Sequence, residues 1–152
     1  MLSTRTAFHS LVMGACLCML VAAPSHAQQD PGVYFVEPKD GAKVPPTFTV
    51  KFGLRGKQIG ALGDLDPGKG HHHLIIDGRS VPKMESVPFD EHHKHFGDGK
   101  TQTQLTLPPG KHTLTLQFGD GAHRSYGDTP WSTSISVEVL APTSAGVPPT
   151  AW

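Results

Sequence analysis

Residues 70–77 read GHHHLIID, three consecutive histidines that run directly into an apolar segment ending in a carboxylate. Side chains alternate between the two faces of a β-strand, so this stretch divides into two sets. The set that contains His72 carries the longer apolar pair and is expected to face the core. His71 and His73 then lie side by side on the opposite face, where two imidazoles can share one metal ion.

The same alternation of apolar and polar residues recurs along the chain, with Gly and Pro at short intervals between the alternating segments. No segment after residue 27 has the period of an amphipathic helix. Six to seven short strands indicate an all-β domain, either an immunoglobulin-like antiparallel β-sandwich or, as the alternative, a small open β-barrel. The predicted strands are 33–36, 47–54, 71–77, 102–107, 112–119 and 132–140, with a further edge strand near 83–89.

The two ends of the chain differ from the middle in composition. Residues 1–27 have a basic start at Arg5, an apolar run and the small-residue ending Ser25-His26-Ala27, which predict a cleaved signal peptide and a periplasmic or secreted protein. Residues 28–140 are expected to form a single domain. Residues 141–152 are rich in proline and small residues and predict a flexible tail.

Charge and cysteine content after residue 27 exclude several classes of protein. Both cysteines lie in the predicted signal peptide, so the mature chain has neither a disulfide nor a thiolate metal site. Without Arg5, 12 basic residues stand against 13 acidic ones, with no basic patch that would indicate a nucleic-acid partner. We expect a monomer without a membrane span after signal cleavage.

The topology of an immunoglobulin-like sandwich predicts where the histidines meet. The loops after the second and fifth predicted strands lie at the same end of such a fold. The third predicted strand begins at that end with His71 to His73. The segment 92–99, before the fourth strand, and the loop 120–123, after the fifth strand, lie at the same end and also contain histidines. Three histidine groups that are distant in sequence therefore converge. The candidate metal ligands are His71, His73, His95 and His123.

Neutral imidazoles suit copper(II) and zinc, whereas sites made of carboxylates alone favour calcium or magnesium. The sequence therefore predicts a metal-binding module, a carrier or buffer for a copper or zinc ion. Asp98 and Asp120 lie close in sequence to candidate ligands and could bind the ion or accept a ring N–H. No Ser or Cys nucleophile stands in a recognisable motif, so the sequence favours a binding protein over an enzyme.

Two alternatives to metal binding remain open at this stage. The histidines could form a hydrogen-bonded polar network. The same rim could instead belong to a non-catalytic interaction domain that binds a glycan or protein partner, with Tyr126 and Trp131 as contact residues. Outside the rim, His92 and His93 are expected to be solvated, and His112 is expected at the opposite end of the sandwich as a structural corner.

Four segments, GHHHLIID, HKHFGDGKTQT, LPPGKHTLTLQFGD and the following GAH, resemble the motifs of a family of secreted bacterial domains of unknown function. Members of that family carry GHHHLLID, then HFGxGQT, then LxPGxHTLxLxxGDxxH and a final strand. The resemblance covers residues 33–140 and implies a periplasmic or surface β-domain without an established activity. The chain departs from the family pattern near Ser125-Tyr126, where members of the family are expected to have a further histidine. If the family's site uses that histidine, the site of this chain lacks one of its residues.

Overall fold

A computed structural model describes residues 30–142; the predicted signal peptide (1–27) and residues 143–152 of the predicted tail lie outside this range. Over the described residues the chain forms β-strands and no helix, so none of them belongs to a helix that could cross a membrane. The strands are β1 (Gly32–Glu37), β2 (Ala42–Val44), β3 (Thr47–Arg55), β4 (Gln58–Ile59), β5 (Lys69–Ile76), β6 (His93–His95), β7 (Gln102–Thr106), β8 (Gly110–Gly119) and β9 (Ser132–Val139).

The strands form two sheets, which confirms the predicted all-β class. One sheet has the order β1-β3-β7, and the other has the order β2-β9-β8-β5-β4 with β6 also paired to β5. The longer pairings are antiparallel, and the two short strands β2 and β4 run parallel to β9 and β5. The predicted first, second and fourth strands thus share one sheet, and the third, fifth and sixth share the other, as in an immunoglobulin-like sandwich.

The core lies between the sheets and follows the alternation of the sequence. In β3, the buried residues Phe48, Val50 and Phe52 alternate with more exposed ones. The facing strand β8 contributes Leu114 and Leu116, both fully buried. On both strands every second side chain is apolar and points inward. Together these side chains form one continuous core, as expected for two sheets that pack face to face.

Strand β5 is an interior strand of the larger sheet. Its residues from Gly70 to Ile76 are all buried, and its backbone is paired along both edges, by β8 on one side and by β4 and β6 on the other. His72 faces the core as predicted, with its ring centroid 4.8 Å from that of Phe52 and 5.3 Å from that of Phe118. The opposite face of β5 therefore holds His71 and His73.

The short edge strand lies elsewhere than predicted. Residues 83–89 form no strand and make one isolated bridge, from Ser86 to Arg124. Pro82 precedes this segment and Pro88 lies within it, and each lacks the N–H that a β-ladder needs. The edge strand is β6, in which His93, Lys94 and His95 pair with β5. The sequence prediction also missed β2 and β4, which are too short to show alternation.

His112 occupies the structural corner that the sequence predicted. Its Nε2 lies 2.9 Å from the Pro108 carbonyl oxygen and its Nδ1 lies 2.8 Å from a carboxylate oxygen of Asp77. The Asp77 carboxylate also accepts the N–H of Thr113. Burial alone would lower the pKa of His112, but these hydrogen bonds outweigh it and raise that pKa. In its protonated form the ring donates from both nitrogens and ties the turn before β8 to the end of β5.

We expect His112→Ala to lower the free energy of unfolding by about 2 kcal/mol, because it removes a charged hydrogen bond and leaves two acceptors unpaired. Urea unfolding at pH 6 would measure the change, with the exposed neighbour Lys111→Ala as control. Equal stability of the two variants would show that the corner contributes nothing.

Candidate metal site

Strand pairing brings the first three histidines together. His73 on β5 lies directly opposite His95 on β6, and directly opposite residues of antiparallel strands project from the same face. His71 precedes His73 by two residues and shares that face. The ring centroids of His71 and His73 are 4.6 Å apart, as are those of His73 and His95. Backbone register alone therefore fixes three imidazoles side by side.

The fourth imidazole comes from the turn after β8. The Asp120 carboxylate accepts the N–H groups of Ala122 and Arg124 and pairs with the Arg124 guanidinium, which closes this turn. His123 sits within it at a φ of 60°, a conformation that few non-glycine residues adopt. Its ring centroid lies 4.8 Å from those of His71 and His95. The predicted convergence of three distant histidine groups is present in the structure.

The four imidazoles form a compact cluster, which we call the histidine cluster: His71, His73, His95 and His123. One ring nitrogen from each lies within 4.8 Å of the corresponding nitrogens of the other three. Two nitrogens that bind one ion at about 2.0–2.1 Å can be separated by at most roughly 4.2 Å. In a tetrahedral site two such nitrogens are about 3.3 Å apart, so the most distant nitrogens of the cluster would have to approach by roughly 1.5 Å to bind one tetrahedral ion.

The cluster has a buried base and a partly exposed mouth. His71 and His73 are fully buried, whereas His95 and His123 are half-buried. Both ring nitrogens of His71 and His73, together with Nδ1 of His95, are buried and make no hydrogen bond to any part of the chain that the structure describes. Buried polar atoms are almost always paired. A metal ion takes one nitrogen from each imidazole, so an ion bound by the cluster would pair three of these five nitrogens, one each from His71, His73 and His95.

The Pro88 carbonyl fixes which nitrogen of His95 can bind a metal. Nε2 of His95 lies 2.7 Å from that oxygen and must carry a proton to donate to it. Nδ1 is then the deprotonated nitrogen that is free to coordinate. Phe89, the next residue after Pro88, stacks on the His95 ring at 3.9 Å with an interplanar angle of 4°. The segment before β6 thus holds both the tautomer and the plane of this ring.

Burial keeps the cluster uncharged. It lowers the pKa of His73 to about 2 and that of His71 to about 4, and repulsion from neighbouring imidazoles adds to the effect. Burial also lowers the pKa of His95 and of His123. Neutral imidazole is the form that binds metals. Proton competition for the site should therefore begin below pH 6.5, the value that applies to unperturbed histidines.

Gly119 makes room for the ring of His73. It lies opposite His71 in the β5–β8 register, and a Cβ at this position would stand 2.7 Å from Cε1 of His73 and 3.2 Å from the Arg124 carbonyl oxygen. Because Cε1 lies between the two ring nitrogens, any shift that relieves this contact moves both of them. Gly119 is therefore a positioning residue of the cluster.

We expect Gly119→Ala to weaken Zn(II) and Cu(II) binding roughly tenfold and to cost about 1–3 kcal/mol of stability through overpacking. Competition against a chromophoric chelator would measure the affinity. Gly68→Ala is the matched control, because the sole close neighbour of its Cβ is a side-chain oxygen of Asp66 at 3.2 Å. An unchanged affinity in a folded Gly119→Ala protein would contradict the positioning role.

The two carboxylates that the sequence analysis named do not belong to the cluster, although the charge of Asp120 partly opposes the lowering of the pKa of His71 and His123. Asp120 and Asp98 accept no ring N–H from it within the described range; Asp120 bonds to Arg124 and Asp98 pairs with Lys100. The carbonyl of Pro88 takes the role that we expected of a carboxylate, and nothing in the sequence signals this. Ser125, at the departure from the family pattern, is buried against Gln117.

His92 is exposed, and His93 bonds to Asp90 rather than being free in solvent. Tyr126 and Trp131, the contact residues of the alternative hypothesis, line a separate cleft that contains none of the four cluster histidines. The four histidines thus lie together as expected, whereas the two aromatic residues line a surface that contains none of them.

The fold and the cluster define an all-β sandwich domain with a histidine site that could hold a metal ion. A family model described as a domain of unknown function, DUF4399, matches residues 50–140, and the chain belongs to that family. No curated protein matches the chain significantly. Among solved structures, it is similar to an endo-beta-1,4-mannanase from Thermotoga petrophila, with 20% sequence identity and a TM-score of 0.41. That similarity covers 77% of this chain and 21% of the mannanase chain, so this chain spans about a fifth of the length of that structure.

Proposed function

We propose that this domain binds one copper(II) or zinc ion through His71, His73, His95 and His123 and acts as a carrier or buffer for that ion in the periplasm or outside the cell. The observation that carries the proposal is the cluster itself. Four imidazoles offer ligand atoms within 4.8 Å of one another, and five of their buried nitrogens have no partner among residues 30–142.

The donor set favours these two metals over others. Imidazole nitrogens suit copper(II) and zinc, whereas magnesium, calcium and manganese prefer oxygen ligands. The nearest carboxylate in the turn, Asp120, is already held by Arg124. Four neutral ligands also leave the bound ion with its full charge, so the site does not neutralise it as a carboxylate or thiolate site would.

The arrangement supports a carrier or buffer better than a structural metal site. His73 and His71 lie on a strand that is hydrogen-bonded along both edges, so the base of the site exists before metal arrives. His95 and His123 lie at the partly exposed mouth, which gives an ion a route in and out. A preformed base with an accessible mouth allows reversible exchange without unfolding of the domain.

Titration of the purified protein with Zn(II) or Cu(II) against a chromophoric chelator tests this proposal. We expect one equivalent to bind and the melting temperature to rise, since a ligand at 100 times its Kd adds about 2.7 kcal/mol to the stability of the folded state. Failure to compete at micromolar metal, or an affinity in His123→Asn equal to that of the native protein, would overturn it.

A second candidate function, contact with a glycan or protein partner through the same rim, is favoured by one observation. Phe89 lies on the rings of His95 and His123 but is 72% exposed, and Leu62, which touches Gly97 near the end of β6, is 60% exposed. Exposed apolar side chains grouped at one place commonly mark a contact surface. Under this alternative, Phe89→Ser would abolish partner binding, and metal would not affect it.

A further inference from the structure

A cleft of about 880 Å³ lies apart from the histidine cluster, between the segment after β5 and the segment before β9. This volume is within the range of roughly 300–1,000 Å³ that is typical of small-molecule sites. Three cationic side chains line it, those of Lys57, Arg79 and Lys83. Asp128 is the single carboxylate of the lining, so the cleft carries an excess of positive charge.

The cations of this cleft are not neutralised by the protein. Lys57, Arg79 and Lys83 take part in none of the ion pairs among residues 30–142. The Asp128 carboxylate accepts a hydrogen bond from the hydroxyl of Ser80 instead. An anion that enters the cleft would therefore meet cations without having to displace a protein carboxylate.

The aromatic side chains of the cleft provide a second kind of contact. Nζ of Lys57 lies 4.2 Å from the centroid of the Tyr126 ring and 5.1 Å from that of the Trp131 ring. Both rings are partly exposed, and the Tyr126 hydroxyl is turned away to the carbonyl oxygens of Pro67 and Lys69. The Lys57 ammonium thus lies over a face of each ring, and a cyclic ligand in the cleft would contact the exposed part of the rings beside it.

A buried polar network fixes the walls of the cleft. The side-chain amide of Gln117, fully buried on β8, bonds to the backbone N–H and carbonyl of Val81, to the Ser125 hydroxyl and to the Gly127 carbonyl. The Ser125 hydroxyl in turn donates to the Val81 carbonyl and accepts the Gly127 N–H. Satisfied buried networks rigidify the segments that they join. The cleft is therefore a preformed site.

We propose that this cleft binds an acidic saccharide, with a sugar carboxylate held by Lys57, Arg79 and Lys83 and a sugar ring against Trp131. Uncompensated cations select for the carboxylate, the aromatic faces select for a ring, and the hydroxyl and carboxylate groups of Ser80 and Asp128 are suited to sugar hydroxyls. The proposal is independent of the metal site, since the cleft and the histidine cluster share no lining residue.

The test is an NMR titration of the ¹⁵N-labelled protein with trigalacturonate, with neutral galactotriose and hexaglutamate as comparison ligands. We expect trigalacturonate to shift the Trp131 indole N–H and the Gly127 amide and to leave His73 unchanged. The double variant Arg79→Gln/Lys83→Gln should bind roughly tenfold more weakly, as for the loss of two exposed ion pairs. The control Lys94→Gln/Lys111→Gln removes the same charge from exposed positions elsewhere and should bind like the native protein.

Three results would overturn the proposal. One is the absence of any shift with trigalacturonate at millimolar concentration. Another is equal binding of galactotriose, which would show that charge plays no part. The third is equal binding of hexaglutamate, which would reduce the cleft to a non-specific cationic patch. Both double variants change exposed residues, and their melting temperatures would confirm that they are folded.

Discussion

His123→Asn is expected to weaken the binding of Zn(II) or Cu(II) by on the order of a hundredfold or more, because it removes one of four imidazole ligands. Loss of a group that merely orients a ligand already costs 10–100-fold in metal affinity. Asparagine is the suitable replacement, since His123 has a φ of 60° and asparagine tolerates this conformation better than alanine. Chelator competition measures the loss, and the rise in melting temperature on metal addition should vanish with it.

The matched control is His92→Asn. His92 is exposed, lies in a neighbouring histidine segment and contributes no nitrogen to the cluster. Its replacement should leave both metal affinity and stoichiometry at the native values. If His92→Asn weakens binding as much as His123→Asn does, the metal binds to exposed histidines and the cluster is not its site.

The metal-free domain is expected to lose stability steeply as the pH falls from 6.5 to about 4. Burial lowers the pKa of His71 and His72 to about 4 and that of His73 to about 2. Over this interval the unfolded chain binds protons at these three side chains and the folded chain does not. Each such proton lowers the free energy of unfolding by about 1.4 kcal/mol per pH unit, so three together approach about 4 kcal/mol per unit.

The contribution of His112 to the free energy of unfolding changes with pH in the opposite direction. Its pKa is raised in the folded state by the hydrogen bonds to Asp77 and Pro108. Its contribution is therefore fully present below pH 6.5 and is lost as the pH rises through the folded-state value. The two effects together place the stability maximum of the metal-free domain near neutral pH, where the buried imidazoles are neutral in both states.

Urea unfolding across pH 4–7 tests this account of acid sensitivity. His72→Leu removes one titrating group from an apolar environment between Phe52 and Phe118, so the slope should fall by about 1.4 kcal/mol per pH unit. A stability that is flat over this range would contradict burial of neutral histidines. A slope that is the same in native and His72→Leu proteins would show that other groups cause it.

The sequence was sufficient to predict the position of the cluster because two simple regularities act together there. Strand alternation put His71 and His73 on one face, and the sandwich topology brought the segments of His95 and His123 to the same end. Both regularities depend on backbone hydrogen bonding, which the pattern of apolar residues and turns reveals. The core residues of β3 and β8 were predictable for the same reason.

The parts that could not be predicted depend on contacts between loops. Strand β6 has only three residues, all polar or charged, so no alternation marks it. The bond from His95 to Pro88 and the stacking of Phe89 depend on the conformation of the irregular segment before β6. The space that Gly119 leaves for His73 arises from a contact distant in sequence. The burial of His71 and His73 depends on these same loops. The sequence analysis expected the two side chains at an exposed rim, whereas in the structure they form the buried base of the cluster.

The central claim is that one ion binds to all four cluster imidazoles. A crystal structure of the Zn(II)- or Cu(II)-loaded protein, with anomalous data collected at the metal edge, tests it most directly. We expect a single peak about 2.0–2.1 Å from one nitrogen each of His71, His73, His95 and His123, with Nδ1 as the ligand atom of His95. No peak at this position in metal-saturated crystals, or a peak at His92 and His93 instead, would contradict the claim.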